Sequence, residues 1–204
     1  MKKNLLEVTS HPVFIALVIL MGLTYSLIIV FNTAGPFLIQ TKLHYSPVFF
    51  GHLALIFGMV FLMATLICRF ILRFFTMEQI LSVAIHISFV IALSILMLSY
   101  WLTDNILLAA TGSALMFVGT GFIFPISMGK GISLFRHISG TATATMYLVN
   151  ILICSITSFF VGLFNVHSLV GLCWFYFILL SLAFVVYWLI VRKHRIKSMM
   201  SPTT

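Results

Sequence analysis

Six long apolar runs divide the chain almost from end to end. About twenty apolar residues in an α-helix are enough to cross the hydrocarbon core of a bilayer. Strands of an outer-membrane barrel would instead alternate apolar and polar residues over about ten positions, which these runs do not do. The pattern therefore predicts six transmembrane helices, expected at residues 13–39, 48–72, 80–99, 106–127, 141–164 and 169–191.

The scarcity of charge excludes a soluble protein. Only 7% of the 204 residues are charged and 62% are hydrophobic, whereas a soluble domain has about 25% charged residues. The net charge of +8 does not indicate nucleic-acid binding, because the basic residues lie at the ends of the runs rather than in one patch. We therefore expect an all-α integral membrane protein, surrounded by lipid and without a nucleic-acid partner. One domain is expected over residues 1–191, followed by a basic tail at 192–204.

The basic residues alternate between the two sides of the predicted bundle. Ten of the eleven fall at the two termini and in the connectors that follow the second and fourth runs, and Lys42 alone falls on the other side. Basic residues accumulate in the cytoplasmic loops of membrane proteins. The distribution predicts that both termini are cytoplasmic.

The residues of ordinary metal sites and enzymes are not arranged for those roles. Cys68, Cys154 and Cys173 lie in or beside apolar runs, without the spacing of a disulfide framework or a zinc site. An intramembrane serine protease would need a nucleophilic serine flanked by glycines and a nearby base, and Ser113 lacks one flanking glycine. We expect no catalytic residues, no metal and no cofactor.

Polar residues recur at helical spacing in the first, fourth and fifth runs. A polar group that faces lipid is costly, so such stripes mark helix faces lined by protein or water. A functional interpretation is that these three helices line a substrate cavity, with Tyr25, Asn32, Thr120, Tyr147 and Asn150 as its contact residues. The same spacing also fits hydrogen bonds that only hold neighbouring helices together.

Three acidic and two basic residues bear on proton coupling. His86 lies inside the third run, where an imidazole relays protons, contacts substrate or simply bonds a neighbouring helix. Lys130 follows the fourth run, either as a basic group at the inner mouth of the cavity or as a side chain reaching the headgroups. Glu7, Glu78 and Asp104 lie at run ends or in connectors. The chain therefore lacks a carboxylate deep in the membrane, the usual ion-coupling group.

Several loose motifs occur in an order typical of one transporter family. They are residues 32–40 (NTAGPFLIQ), 45–51 (YSPVFFG), the arginines at 69 and 73, residues 119–122 (GTGF) with a proline at 125, and residues 139–144 (SGTATA). With these motifs the chain resembles the C-terminal six-helix half of a major facilitator superfamily transporter, of the Bcr/CflA drug-resistance type.

The resemblance implies a fold and a function. The fold is an inverted repeat of three plus three helices, in which residues 31–37 and 119–125 are corresponding broken stretches. The function is proton-coupled efflux of drugs or other small molecules by an antiporter of the bacterial inner membrane. A full transporter of this kind has twelve spans, so we expect this half to need a complementary six-helix half or a homodimer. The alternative is a non-transporting structural or regulatory membrane subunit, or a truncated transporter remnant.

Overall fold

The computed structural model describes residues 2–102, 105–164, 166 and 168–192. Over this part of the chain every regular element is a helix, and six helices are long and apolar enough to cross a membrane. The predicted all-α membrane class is therefore confirmed. Asp104 and the predicted basic tail beyond Arg192 lie outside the described residues.

The six spanning helices follow a short N-terminal helix, α1 (Lys2–Thr9). Helical turns of π type at Phe37–Lys42 and Tyr187–Arg192 extend the first and last spans, and a 3-10 turn at Arg136–Ile138 precedes the fifth. The fourth span continues to Ser133 instead of ending near residue 127. The spans are α2 (Pro12–Pro36), α3 (Pro47–Ile71), α4 (Met77–Ser99), α5 (Ile106–Ser133), α6 (Ser139–Leu163) and α7 (Leu169–Val186).

Polar residues at the starts of the spans explain where the helices begin. The Ser46 side chain accepts a hydrogen bond from the third helical N–H of α3, and Pro47 occupies the first position, where no N–H is needed. Thr76 and Gln79 form a reciprocal capping box at the start of α4. Asn105 accepts from two N–H groups at the start of α5. These caps satisfy backbone groups that would otherwise be unpaired at the helix ends.

The two leading helices of the predicted triplets, α2 and α5, contact each other at the centre of the bundle. Around them, α2 also packs against α6 and α7, α5 packs against α3 and α4, and α4 packs against α7. If α2 is exchanged with α5, α3 with α6 and α4 with α7, the same set of helix pairs is obtained. The first three and last three spans thus hold equivalent positions in the packing.

A glycine brings α5 unusually close to α3. A Cβ atom built on Gly121 would lie 2.6 Å from Ala64 Cβ and 3.0 Å from the Phe61 carbonyl oxygen. Pro125 has no N–H to donate to the carbonyl of Gly121, four residues earlier. The Thr65 hydroxyl lies 3.3 Å from that carbonyl oxygen and 2.9 Å from the Phe61 carbonyl oxygen of its own helix, so its one hydrogen is shared between them. The contact between the helices thus partly satisfies a backbone group that the proline leaves unpaired.

One end of the bundle, called here the basic end, carries charged residues from several elements. Lys130 near the end of α5 forms an ion pair with Glu78 in the first turn of α4, with Nζ and Oε1 2.5 Å apart. Nε2 of His137, before α6, lies 3.1 Å from a Glu7 carboxylate oxygen on α1. Arg73 follows the end of α3 beside the start of α4. The extra turns of α5 are thus the part that carries Lys130 to its acidic partner.

Candidate functional site

The predicted residues Tyr25 and Tyr147 both contact one segment of α5, from Phe124 to Met128. The Tyr25 ring on α2 packs against Phe124 on α5, with centroids 5.2 Å apart. The Tyr147 hydroxyl on α6 lies 3.8 Å from Met128 Sδ, one turn after Phe124 on α5. Tyr147 is 43% exposed. We name this surface, made of Tyr25, Phe124, Met128 and Tyr147, the aromatic face.

The aromatic face continues into a cavity between α3 and α5. Phe124 and Met128 line a space of about 380 Å³ together with Phe61 and Thr65 of α3. Since α6 reaches Met128 from one side and α3 reaches it from the other, these two helices flank the floor formed by α2 and α5. The arrangement gives a wide groove with aromatic and thioether groups on its floor.

Asn150 is placed beside this surface but inside the protein. Its side chain is 5% exposed, and no hydrogen-bond partner lies near its Oδ1 atom. In the part of the chain that the structure describes, Ser127 Oγ is the other buried side-chain polar atom without a partner. A buried polar group without a partner costs about 1–3 kcal/mol. Such atoms therefore require an explanation in the chemistry of the molecule.

The rest of the polar stripe on α6 packs into the contact between α6 and α2. The Thr157 hydroxyl lies 2.9 Å from the Ile153 carbonyl oxygen and 3.2 Å from Ser26 Oγ, and Ser26 donates to Cys154 Sγ at 3.7 Å. A Cβ atom on Gly22 would overlap the Ile153 side chain, so the two helices are closely packed here. This part of the stripe fits the packing interpretation that the sequence left open.

The structure does not bring Thr120 to the aromatic face, and it places Asn32 two helical turns from Tyr25 along α2. Thr120 is fully buried between α5 and α2, with its hydroxyl 3.0 Å from the Thr24 carbonyl oxygen and 2.9 Å from that of Met116. It bonds helices together instead of facing a cavity. Asn32 is exposed on α2, seven residues beyond Tyr25 and farther from the basic end. It lies about 10 Å along the helix from Tyr25.

The two basic candidates also lie away from the aromatic face. His86 is on the exposed side of α4, and its ring meets the edge of Phe184 on α7 at 5.1 Å. Its Nδ1 atom lies 2.7 Å from the Ser82 carbonyl oxygen, which can only accept, so Nδ1 carries the hydrogen. Lys130 is 17% exposed and paired with Glu78. In this arrangement it links α5 to α4 at the basic end.

No protein-family model, curated protein or solved structure matches this chain. Within the described residues, no group of three His, Cys, Asp or Glu side chains is placed to hold a metal ion. The aromatic face itself offers two phenol hydroxyls, a thioether and several ring faces. Rings attract cations through their π electrons, and a thioether adapts to irregular apolar shapes. The surface suits an apolar or aromatic molecule, with or without positive charge.

Phe124 and Met128 were not predicted as site residues. Both are apolar and lie between the polar positions of α5, so the polar-stripe argument passes over them. The available signal was Pro125, which marks a helix segment whose backbone bonding is altered. An aromatic residue and a methionine close to a proline in the first helix of a triplet could have been recognised as site candidates.

Proposed function

We propose that this chain is a six-helix unit of a secondary transporter that exports small apolar or aromatic molecules, of the major facilitator type and related to Bcr/CflA drug efflux. It would act with a second six-helix unit, either another copy of itself or a complementary half. The observation that carries the proposal is the exchange of α2, α3 and α4 with α5, α6 and α7 in the helix packing.

The two triplets that exchange in the packing run in opposite directions across the membrane. Each triplet has an odd number of spans, so the second triplet crosses the membrane in the opposite sense to the first. Inverted triplets with broken leading helices are typical of transporters, which bind substrate where the repeats meet. Here α2 contains Pro36 and α5 contains Pro125. The aromatic face lies where these two helices and their neighbours meet.

The unpaired oxygen of Asn150 supports an aromatic face that changes between conformations. A polar atom in an apolar interior is costly unless it forms a hydrogen bond. Asn150 is three residues beyond Tyr147 on α6. We infer that water or substrate becomes its partner when the aromatic face opens further.

The exposure of α3 and α6 supports the need for a second unit. In an 18-residue apolar stretch of each span, 17% of the residues of α3 and 28% of those of α6 are buried within the chain. The same fraction is 67% for the first span. These two helices flank the aromatic face, so a second unit placed over it would cover them. The described acids, Glu7 and Glu78, both lie at the basic end. We propose that a carboxylate for proton coupling comes from the second unit.

The proposed location is the bacterial inner membrane, with the basic end and both termini in the cytoplasm. The proposal rests on the ten basic residues on one side against Lys42 on the other. The opposite side has Tyr100 and Trp101 in a connector, and both are exposed as expected for an interfacial aromatic belt.

Single-cysteine labelling tests whether the aromatic face is reached by water within the membrane. Tyr147→Cys is compared with Val185→Cys, since Val185 is similarly exposed, at 49%, and lies on α7 at a comparable distance from the basic end. A water-soluble maleimide applied to membranes is expected to label Tyr147→Cys and not Val185→Cys. The unmodified chain gives the background from its three buried cysteines. Equal protection of both variants would contradict a water-lined face.

Assembly and flux provide the second test. Native mass spectrometry of the complex extracted from its own membrane is expected to show a dimer or a pair with another six-span protein. Cells producing the chain are expected to export ethidium, and Asn150→Leu should abolish that export. A lone monomer without flux would instead support the alternative, a non-transporting structural or regulatory subunit.

A further inference from the structure

A narrow apolar groove runs along α4 and α5 on the outer surface of the bundle. Its volume is about 390 Å³. Val83 and Ile87 of α4 and Val118 and Phe122 of α5 line its length, and Ile71, the last residue of α3, lines it at the basic end. The groove shares no lining residue with the cavity between α3 and α5 beside the aromatic face.

The groove has the length and the lining of a site for a hydrocarbon chain. It extends along α4 from Gln79 to Ile91, a distance of about 18 Å at the helical rise of 1.5 Å per residue. Apart from Gln79, Ser88 and Gly119, every residue that lines it has a hydrocarbon side chain. An extended acyl chain can therefore lie along it.

A cation lies at the end of the groove that meets the basic end. Ile71 and Phe75 both line the groove, and Arg73 lies between them in the connector from α3 to α4. Its Cζ atom lies 5.7 Å from the centre of the ring of Phe70, which does not line the groove, so the guanidinium would turn from that ring to reach a lipid phosphate. The Arg73 side chain is exposed and forms no salt bridge with a described carboxylate. Its charge is thus available to a ligand, unlike that of the ion-paired Lys130.

We propose that this groove binds one anionic phospholipid, with an acyl chain along α4 and α5 and the phosphate at Arg73. Arginine side chains at span ends reach the headgroup layer, and basic residues there attract anionic lipids. The hydrocarbon chain would then run from that layer along the groove toward the bilayer centre. A zwitterionic phospholipid supplies the same chain without net negative charge, so the site should prefer the anionic lipid. This inference requires only that the six helices span a membrane, and it does not depend on transport.

Native mass spectrometry of the full chain tests the headgroup preference. The chain is reconstituted in nanodiscs with equal amounts of phosphatidylglycerol and phosphatidylcholine, and the lipids retained after gentle release are identified. One retained phosphatidylglycerol is expected. Arg73→Gln should lower the ratio of retained phosphatidylglycerol to phosphatidylcholine about fivefold, the effect of one basic residue at an anionic surface. Arg136→Gln, which removes another exposed arginine at the basic end, should leave the ratio unchanged.

A second pair of variants tests the groove itself. Val83→Trp fills the groove, and Val185→Trp adds the same ring to α7, at side chains that are 56% and 49% exposed. Val83→Trp should lose the retained lipid whatever its headgroup, and Val185→Trp should keep it. Circular dichroism checks that both variants remain helical. The proposal is overturned if Val83→Trp retains the lipid, or if Arg73→Gln and Arg136→Gln lower the preference equally.

Discussion

The close contact of α3 with α5 can be tested by adding one methyl group. Gly121→Ala places a Cβ atom 2.6 Å from Ala64 Cβ and 3.0 Å from the Phe61 carbonyl oxygen. Gly129→Ala is the matched control, because it lies in the same helix and its Cβ atom would meet nothing within 4 Å. The two variants make the same chemical change and differ in what surrounds it.

The magnitude follows from the neighbours of Gly121. Alanine stabilises a helix by about 0.5–1 kcal/mol relative to glycine, and this gain applies to both variants. At position 121 the two carbon atoms would be about 1 Å closer than their preferred separation. Because Ala64 Cβ and a backbone oxygen cannot rotate away, α3 and α5 must separate, at about 1–3 kcal/mol. Separation also weakens the hydrogen bond that Thr65 shares between the Gly121 and Phe61 carbonyls, at a cost of up to about 1 kcal/mol. We expect Gly121→Ala to be about 1–4 kcal/mol less stable than Gly129→Ala.

The free energy of unfolding is measured by titrating detergent micelles of the protein with SDS and following helix content by circular dichroism. Gly129→Ala should unfold at the same or a higher SDS fraction than the unmodified chain, and Gly121→Ala at a lower one. Adding Ala64→Gly to Gly121→Ala removes one of the two clashing atoms and should restore part of the loss. Equal stability of the two alanine variants would refute the close approach of α3 and α5.

Three further predictions use the same unfolding measurement. Tyr176→Phe removes the hydroxyl that lies 3.0 Å from the buried Ser113 hydroxyl and should cost about 1 kcal/mol; the double variant with Ser113→Ala should recover most of it, and additive losses would contradict the pairing. Lys130→Met should cost about 1–3 kcal/mol, because it removes the ammonium group that lies 2.5 Å from the half-buried Glu78 carboxylate, and a second change of Glu78→Gln should restore part of the loss. Asn150→Leu should leave stability unchanged or raise it by up to about 1 kcal/mol, because it removes an unpaired buried oxygen, and a large loss would show that the amide is structural.

The sequence predicts the spans well because bilayer thickness fixes their length and hydropathy records it directly. Predicted and observed bounds differ most in α5, whose last turns depend on the contact of Lys130 with Glu78 from another helix. The helical spacing of polar residues identified which side of each helix is polar, but not what that side contacts. It could not distinguish Tyr147, which lies on an open surface, from Thr120, which bonds the Thr24 carbonyl across a helix contact. That distinction depends on how helices rotate and pair, which periodicity within one helix does not record.

The hydrogen bond from Thr65 to the Gly121 carbonyl has a mechanical consequence. A proline allows a helix to bend because the carbonyl four residues earlier is released from the helix. Here the Thr65 hydroxyl of α3 bonds that carbonyl but also reaches the Phe61 carbonyl of its own helix. Bending at Pro125 would therefore either pull α3 along or transfer the Thr65 hydrogen wholly to Phe61. A movement of α5 that opens the floor of the aromatic face at Phe124 is thus coupled to α3 through a hydrogen bond that can change its acceptor.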